Sequence, residues 1–245
     1  MPFSHFEWTL IALIFIWTGF VRTGLGFGGA ALGLPLMLLV GATPLYWLPI
    51  IGIHLLFFSS LTLFKSLKTV DWLYLKSALI WILPASLIGV AGLISLPDRV
   101  MIIFIYSVTL FYAFTWLFDK TISSHKPWVD RLLLFVGGYV AGTSLTGAPL
   151  IVAVFMRHVD KAYLRNTLFV LWFTLVTIKL TTFVIFEVKF DVVTALWLIP
   201  IAAIGHVIGL KAHAKIIEND RVFKQWVGGA LLLISAFGLA KMLGS

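Results

Sequence analysis

Long apolar runs, separated by short polar loops, set the pattern of this chain. Runs at 72–93, 100–118, 164–186 and 227–243 have about the length, ~20 residues, that a helix needs to cross a bilayer. Two more apolar stretches, 7–40 and 130–156, are of another kind, because each is interrupted near its middle by a glycine-rich run. The first interruption reads Thr23-Gly24-Leu25-Gly26-Phe27-Gly28-Gly29, and the second Gly142-Thr143-Ser144-Leu145-Thr146-Gly147-Ala148-Pro149. No stretch is polar enough for a separate soluble domain. The pattern predicts an all-α polytopic membrane protein, with one interrupted segment and three ordinary ones in each half.

Composition narrows this further. The 245 residues are 61% hydrophobic and 11% charged, against about 45–50% and about 25% in soluble domains. The net charge of +8 lies in short loops between apolar runs, which is how topology determinants are arranged and excludes a nucleic-acid face. With no cysteine, disulfides, thiolate metal sites and Cys nucleophiles are excluded. The N-terminus carries Glu7 and lacks both a basic leader and an A-x-A-like site, so it does not read as a signal peptide. H-E-x-x-H, G-x-S-x-G and Walker A motifs are missing, and no cofactor is called for. The ten Trp residues read as interface markers, among them Trp72, Trp116, Trp128 and Trp226.

The chain resembles itself. Sliding it by 119 residues lays Gly28-Gly29-Ala30 on Gly147-Ala148-Pro149 and Gly19 on Gly138. After a three-residue slip, Leu96-Pro97-Asp98-Arg99-Val100 meets Glu218-Asn219-Asp220-Arg221-Val222, with Asp in the position to cap the apolar helix that follows. Residues 1–120 and 126–245 are thus read as repeats joined by Thr121-Ile122-Ser123-Ser124-His125.

Positive charges weigh two topologies. If both interrupted segments cross, giving eight plain spans with glycines for helix packing, the loops hold eight Lys and Arg on each side. If each dips in and returns as a pair of half-helices, the loops at 65–76, 120–131, 157–165 and 211–224 share one side with thirteen, against three opposite. The positive-inside rule favours the second and makes that side cytoplasmic. Each half then has an odd number of crossings, so the repeats are inverted, and their hairpin tips approach the midplane from opposite faces. Inverted repeats with broken helices are the architecture of secondary transporters.

A half-helix starting at membrane depth points unpaired N–H groups and partial positive charge into the interior, which suits an anion. Arg22 stands by the first tip, Lys179 lies within an apolar helix, and Thr143, Ser144 and Thr146 flank the second tip as hydroxyl donors. A cation in hydrocarbon costs ~3 kcal/mol or more, so each needs a polar interior or must snorkel to the surface. Ser and Thr in membrane helices ordinarily bond the carbonyl one turn back, and three within four residues at a break also suit an oxyanion. His54 and His206, in apolar segments, are either neutral hydrogen-bonded groups or proton relays.

The runs Gly24-Leu25-Gly26-Phe27-Gly28-Gly29 and Thr146-Gly147-Ala148-Pro149-Leu150, with Asp160-Lys161 and Arg165 after the second, resemble the sulfite exporter TauE/SafE family over nearly the whole chain. The resemblance implies a bacterial inner-membrane transporter of sulfite, sulfoacetate or related organosulfur or carboxylate anions. It also implies that Gly28, Gly29, Gly147 and Pro149 shape the tips and that Thr146 faces substrate. The family commonly has Gly-Gly-Pro-Pro where this chain has Gly147-Ala148-Pro149-Leu150, which leaves the substrate open. An anion channel and a membrane-embedded enzyme or assembly subunit are the rival functions. The expected partners are a small anion and the lipid bilayer, with assembly into a homo-oligomer left open.

Overall fold

The computed structural model describes residues 3–25, 29–63, 67–119, 126–218 and 220–244. Among them are ten α-helices and no strand. These are α1 (His5–Leu25), α2 (Gly29–Val40), α3 (Pro44–Leu63), α4 (Trp72–Ser95), α5 (Asp98–Leu117), α6 (Pro127–Ser144), α7 (Ala148–His158), α8 (Lys161–Ile185), α9 (Val192–Glu218) and α10 (Asp220–Gly244). Seven of them, α1, α3, α4, α5, α8, α9 and α10, are long and apolar enough to cross a membrane. In such a medium a helix is favoured because it satisfies its backbone polar groups within itself.

Each glycine-rich interruption is a true break, and the chain folds back at it. A Cβ on Gly29 would lie 2.9 Å from Arg22 Cβ and 3.0 Å from the Thr18 carbonyl oxygen, while one on Gly33 would meet Thr18 Cγ2. So α2 runs back along α1. In the same way Gly147 lies against the Gly137 carbonyl and Ala141, and Gly137 against Leu150 and Ile151, so α7 returns along α6. Both segments are hairpins and not single interrupted crossings. The expected pairs of half-helices become a long arm and a short arm. At 1.5 Å per residue the 21 and 18 residues of α1 and α6 reach ~31 and ~27 Å, and the 12 and 11 of α2 and α7 reach ~18 and ~16 Å.

The helices gather into two compact units, one of Met1–Trp47, Pro97–Thr121 and Asp191–Ser245, the other of Leu48–Leu96 and Ile122–Phe190. The halves 1–120 and 126–245 express sequence likeness, and each compact unit draws helices from both.

In the first unit α1 packs on α9 and α5 on α10. A Cβ on Gly205 would collide with the Ile16 carbonyl, and one on Gly209 would lie 2.6 Å from the Phe20 carbonyl oxygen, so α9 and α1 touch backbone to backbone. Val21, Leu32, Ala113, Trp116, Val227 and Leu231 form an apolar core here, which α2 enters through Leu32. Trp116 is therefore a core residue and not the interface marker expected of it; Trp72, Trp128 and Trp226 are exposed. Asp98 is also corrected: it lies in the first turn of α5, whose cap position is Pro97 without a side-chain bond. There it meets the helix dipole in place of capping an amide.

In the second unit α4 packs on α6. Gly142 abuts the Ser86 carbonyl, Gly138 the Ile82 backbone (2.6 Å to its carbonyl oxygen), and Gly89 the Tyr139 carbonyl and the Thr143 amide. Asp71 caps α4 by accepting from Tyr74 N–H (2.9 Å), and its own N–H donates to Thr167 Oγ1 on α8 (2.9 Å). Asp160 caps α8 through the Ala162 N–H.

Candidate functional site

The two breaks carry different chemistry. In the first unit α1 ends at Leu25 and α2 opens at Gly29; Gly28, an expected tip residue, lies outside the described residues. Arg22 is on the last turn of α1 and only 6% exposed, its Cβ covered by the opening of α2. Gly29 is required at that point because any side chain would displace the Arg22 stem. The next residue, Thr23, is buried, and its Oγ1 lies 2.6 Å from Nδ1 of His206 on α9.

In the second unit α6 ends on Leu145, whose φ of 58° is left-handed. A bulky residue there carries strain of about 1–2 kcal/mol, accepted where the chain must turn between helices. Gly147 takes the cap position of α7, and Pro149 sits in the first turn, where its missing N–H removes no helical bond. The first bond of α7 runs from Ile151 N–H to Gly147 O, so the amides of its opening turn lack helical partners.

Thr143, Ser144 and Thr146 are fully buried around this break. Thr143 donates to Val140 O (3.0 Å), Ser144 donates to the same carbonyl (3.0 Å), and Ser144 and Thr146 share a hydrogen bond at 2.6 Å. A hydroxyl has one hydrogen to give. The arrangement that meets every one of these contacts has Thr146 donating to Ser144, which commits all three hydrogens to the protein. The hydroxyls build the break, and the free donors beside them are the α7 amides.

Lys179 on α8 is 1% exposed. Its Nζ lies 5.9 Å from the centroid of the Phe183 ring and has no hydrogen-bond partner among the described residues. Cation–π attraction offsets part of its desolvation. His54 on α3 is also buried, with its ring 6.4 Å from that of Phe58. Among the side chains whose burial is described, which leaves out residues 213–220, Arg22 and Lys179 are the buried Lys and Arg, and no Asp or Glu is buried.

Each compact unit thus buries a cation among membrane-length helices, Arg22 in the first and Lys179 in the second, a sign that suits an anionic solute. Comparison with known families agrees: a model of the family described as sulfite exporter TauE/SafE matches residues 11–238. The chain belongs to the sulfite exporter TauE/SafE family. Searches of curated proteins and of solved structures gave no match. As a member of this family it is a multi-pass membrane transporter.

The matched range takes in the second hairpin whole, the first from residue 11 onward, and most of both compact units. Sequence reasoning passed over Thr23 and Leu145. Thr23 adjoins Arg22 in a glycine-rich run, and the signal that singles it out is its partner on α9, far away in sequence. Leu145 reads as an ordinary apolar residue, since nothing in a sequence marks a left-handed leucine. The clasp that closes the mouth of the second hairpin was also missed. There Asp130 of α6 takes hydrogen bonds from Arg157 and His158 of α7, and the His158 ring stacks on Tyr74 at 5.2 Å.

Proposed function

We propose that the protein is a secondary transporter that exports a small oxyanion, sulfite or an organosulfonate such as sulfoacetate, by alternating access across the bacterial inner membrane. The observation that carries this reading is the sign of the buried charge in each compact unit: Arg22 in the first and Lys179 in the second, with no buried carboxylate among the side chains whose burial is described. Each buried cation costs a few kcal/mol in an apolar medium. An anion passing close to it offsets that cost, whereas a cation or a neutral solute gains nothing. Family membership supports the substrate class, because the family is described as sulfite exporters.

In this reading Arg22 with the opening of α2 in the first unit, and in the second unit Lys179 and, separately, the amides at the start of α7, are the groups that stabilise the anion. Gly28, Gly29, Gly147 and Pro149 give the backbone its shape at the breaks. Thr143, Ser144 and Thr146, whose hydroxyl hydrogens are given to the protein, hold the second break together. Residues 1–120 and 126–245 act as inverted repeats, with the loops at 65–76, 120–131, 157–165 and 211–224 in the cytoplasm. The chain carries no nucleotide-binding motif, so it draws its energy from an ion or substrate gradient.

Purified protein in proteoliposomes loaded with labelled sulfite or sulfoacetate tests the reading. Saturable efflux, accelerated by unlabelled anion on the opposite side and lost in Arg22→Ala, is the expected result. Efflux that neither saturates nor shows counter-transport identifies an anion channel instead. Equal efflux from protein-free vesicles rejects both.

A further inference from the structure

Among the buried hydroxyls of the two hairpins, Thr23 stands apart. Thr18, Thr143 and Ser144 each donate to a carbonyl of their own helix, to Phe15 O, Val140 O and Val140 O respectively, and Thr146 pairs with Ser144 nearby. Bonding back to the preceding turn is the usual habit of such residues in apolar helices. Thr23 instead turns to another helix and meets His206 Nδ1 at 2.6 Å.

Packing does not demand this pair. The crossing of α1 with α9 and that of α6 with α4 are built on matching contacts. Gly19 against Ala202 answers to Gly138 against Ile82, and Gly209 against Phe20 and Gly24 answers to Gly89 against Tyr139 and Thr143. At the level where Thr23 meets His206, the second crossing has Gly142 pressed on the Ser86 carbonyl. A crossing of this kind therefore forms without an imidazole, and His206 is an addition to it.

The single hydrogen bond between the two side chains can run either way. With Nδ1 unprotonated, Thr23 donates its hydrogen to the ring. With His206 doubly protonated, Nδ1–H donates to Thr23 Oγ1, and the hydroxyl hydrogen is released to another acceptor. The released donor sits one residue from buried Arg22, at the end of α1. Proton uptake thus adds a positive charge and a hydrogen-bond donor together, both of which suit an oxyanion.

We propose that Thr23 is an anion ligand switched on by protonation of His206, which couples the anion to one proton moving in the same direction. This rests on the transporter reading above: a dianion leaving with one proton keeps a net negative charge, which an inside-negative membrane potential drives outward. His206 takes the proton from water on the loading side and returns it when the anion leaves, with no other bond made or broken. Few groups compete for this role. On α1 no ionisable side chain lies between Glu7 and Arg22, on α10 none between Lys224 and Lys241, and on α9 no ionisable side chain other than His206 precedes Lys211.

Sulfoacetate is the probe, because its sulfonate and carboxylate both stay ionised from about pH 6 to about pH 8 and its own charge is constant. In proteoliposomes of the full chain, the apparent affinity for sulfoacetate is expected to rise on acidification by up to about tenfold per pH unit, the limit for one linked proton. An imposed pH gradient is expected to drive its accumulation. His206→Gln, which cannot titrate, flattens the profile to its alkaline level, as does Thr23→Val, while Thr23→Ser restores the slope. The proposal is overturned if His206→Gln keeps the wild-type slope, or if Thr23→Val weakens affinity by the same factor at both ends of the range. Should His206→Gln fail to fold, the contrast between Thr23→Val and Thr23→Ser decides alone. Wild-type vesicles that carry sulfoacetate with no pH dependence overturn the coupling only. Vesicles that carry neither sulfoacetate nor sulfite overturn the transporter reading and the coupling together.

Discussion

Two helix crossings, α1 with α9 and α6 with α4, bring backbones into contact through glycines at matching places, yet the first has Thr23 and His206 where the second has Gly142 and Ser86. The difference separates what the fold needs from what it does not. Close approach in an apolar medium rests on small residues, because there dispersion between well-fitted surfaces takes over the role that the hydrophobic effect plays in water. Polar side chains at the same level are optional for packing, and the coupling proposed above gives the pair beside the buried arginine a role that packing does not. The breaks differ too. The first places a cation on its own long arm, whereas the second is built from hydroxyls bonded to their own helix.

The sharpest way to break the comparison is to remove the small residues. Gly142→Leu and Gly205→Leu each drive a side chain into backbone that cannot yield, and both are expected to lower stability by about 3 kcal/mol or more. Thermal melting in detergent checks this, and a wild-type melt for either variant would show that backbone contact is not what holds that crossing. Next comes Lys179→Met, which removes a buried charge with no hydrogen-bond partner among the described residues and keeps its volume. Melting is expected to hold or rise by about 1–2 kcal/mol, as when a buried charge is replaced by a well-packed apolar group. Anion flux is expected to fall by at least about tenfold, a loss of about 1.4 kcal/mol of stabilisation along the path. A variant less stable than wild type would mean that Lys179 has a structural partner.

Helix caps give a smaller effect. Asp191 accepts from the Thr194 hydroxyl (2.7 Å) and amide (3.0 Å) and from Tyr46 OH (3.2 Å) at the start of α9, much as Asp71 accepts at the start of α4. Bonds from the Thr194 side chain and amide, helped by Tyr46, hold the Asp191 carboxyl below its ordinary value. A carboxyl depressed in the folded state stabilises fully above its unfolded value, near 4, and that contribution fades as pH falls through the folded one. Asp191→Ala is therefore expected to cost about 1 kcal/mol at neutral pH and progressively less on acidification, read from melting temperatures across pH. A deficit that stays constant down to the acid end would mean that the carboxylate is not the stabilising form. The smallest effect belongs to Thr143→Val. Its hydroxyl serves its own helix, so stability within about 0.5 kcal/mol of wild type and flux within about twofold are expected. A large flux defect would return Thr143 to the anion path.

Element type and number were legible because they depend on local pattern. Apolar runs of spanning length became α4, α5, α8 and α10, and the glycine-rich interruptions became breaks. Arg22 and Lys179 stood out because a cation in an apolar segment is costly wherever the segment lies. Trp116 misled, since position near a helix end marks an interface only when the side chain faces outward, and it faces the core. Asp98 misled by one residue, because capping depends on the dihedral angles of its neighbour.

What the sequence determined by itself was the membrane class, the helices, the two breaks and the sign of the buried charge, all of which follow from short-range spacing and from the cost of charge in hydrocarbon. Tertiary structure alone decided that the interrupted segments fold back as hairpins, that compact units draw helices from both halves, and where each hydroxyl sends its hydrogen. A hydrogen bond between Thr23 and His206 joins residues with most of the chain between them, and no local pattern encodes a direction in space. That choice belongs to the packing of α9 on α1, where glycines let two backbones meet and bring imidazole and hydroxyl into reach.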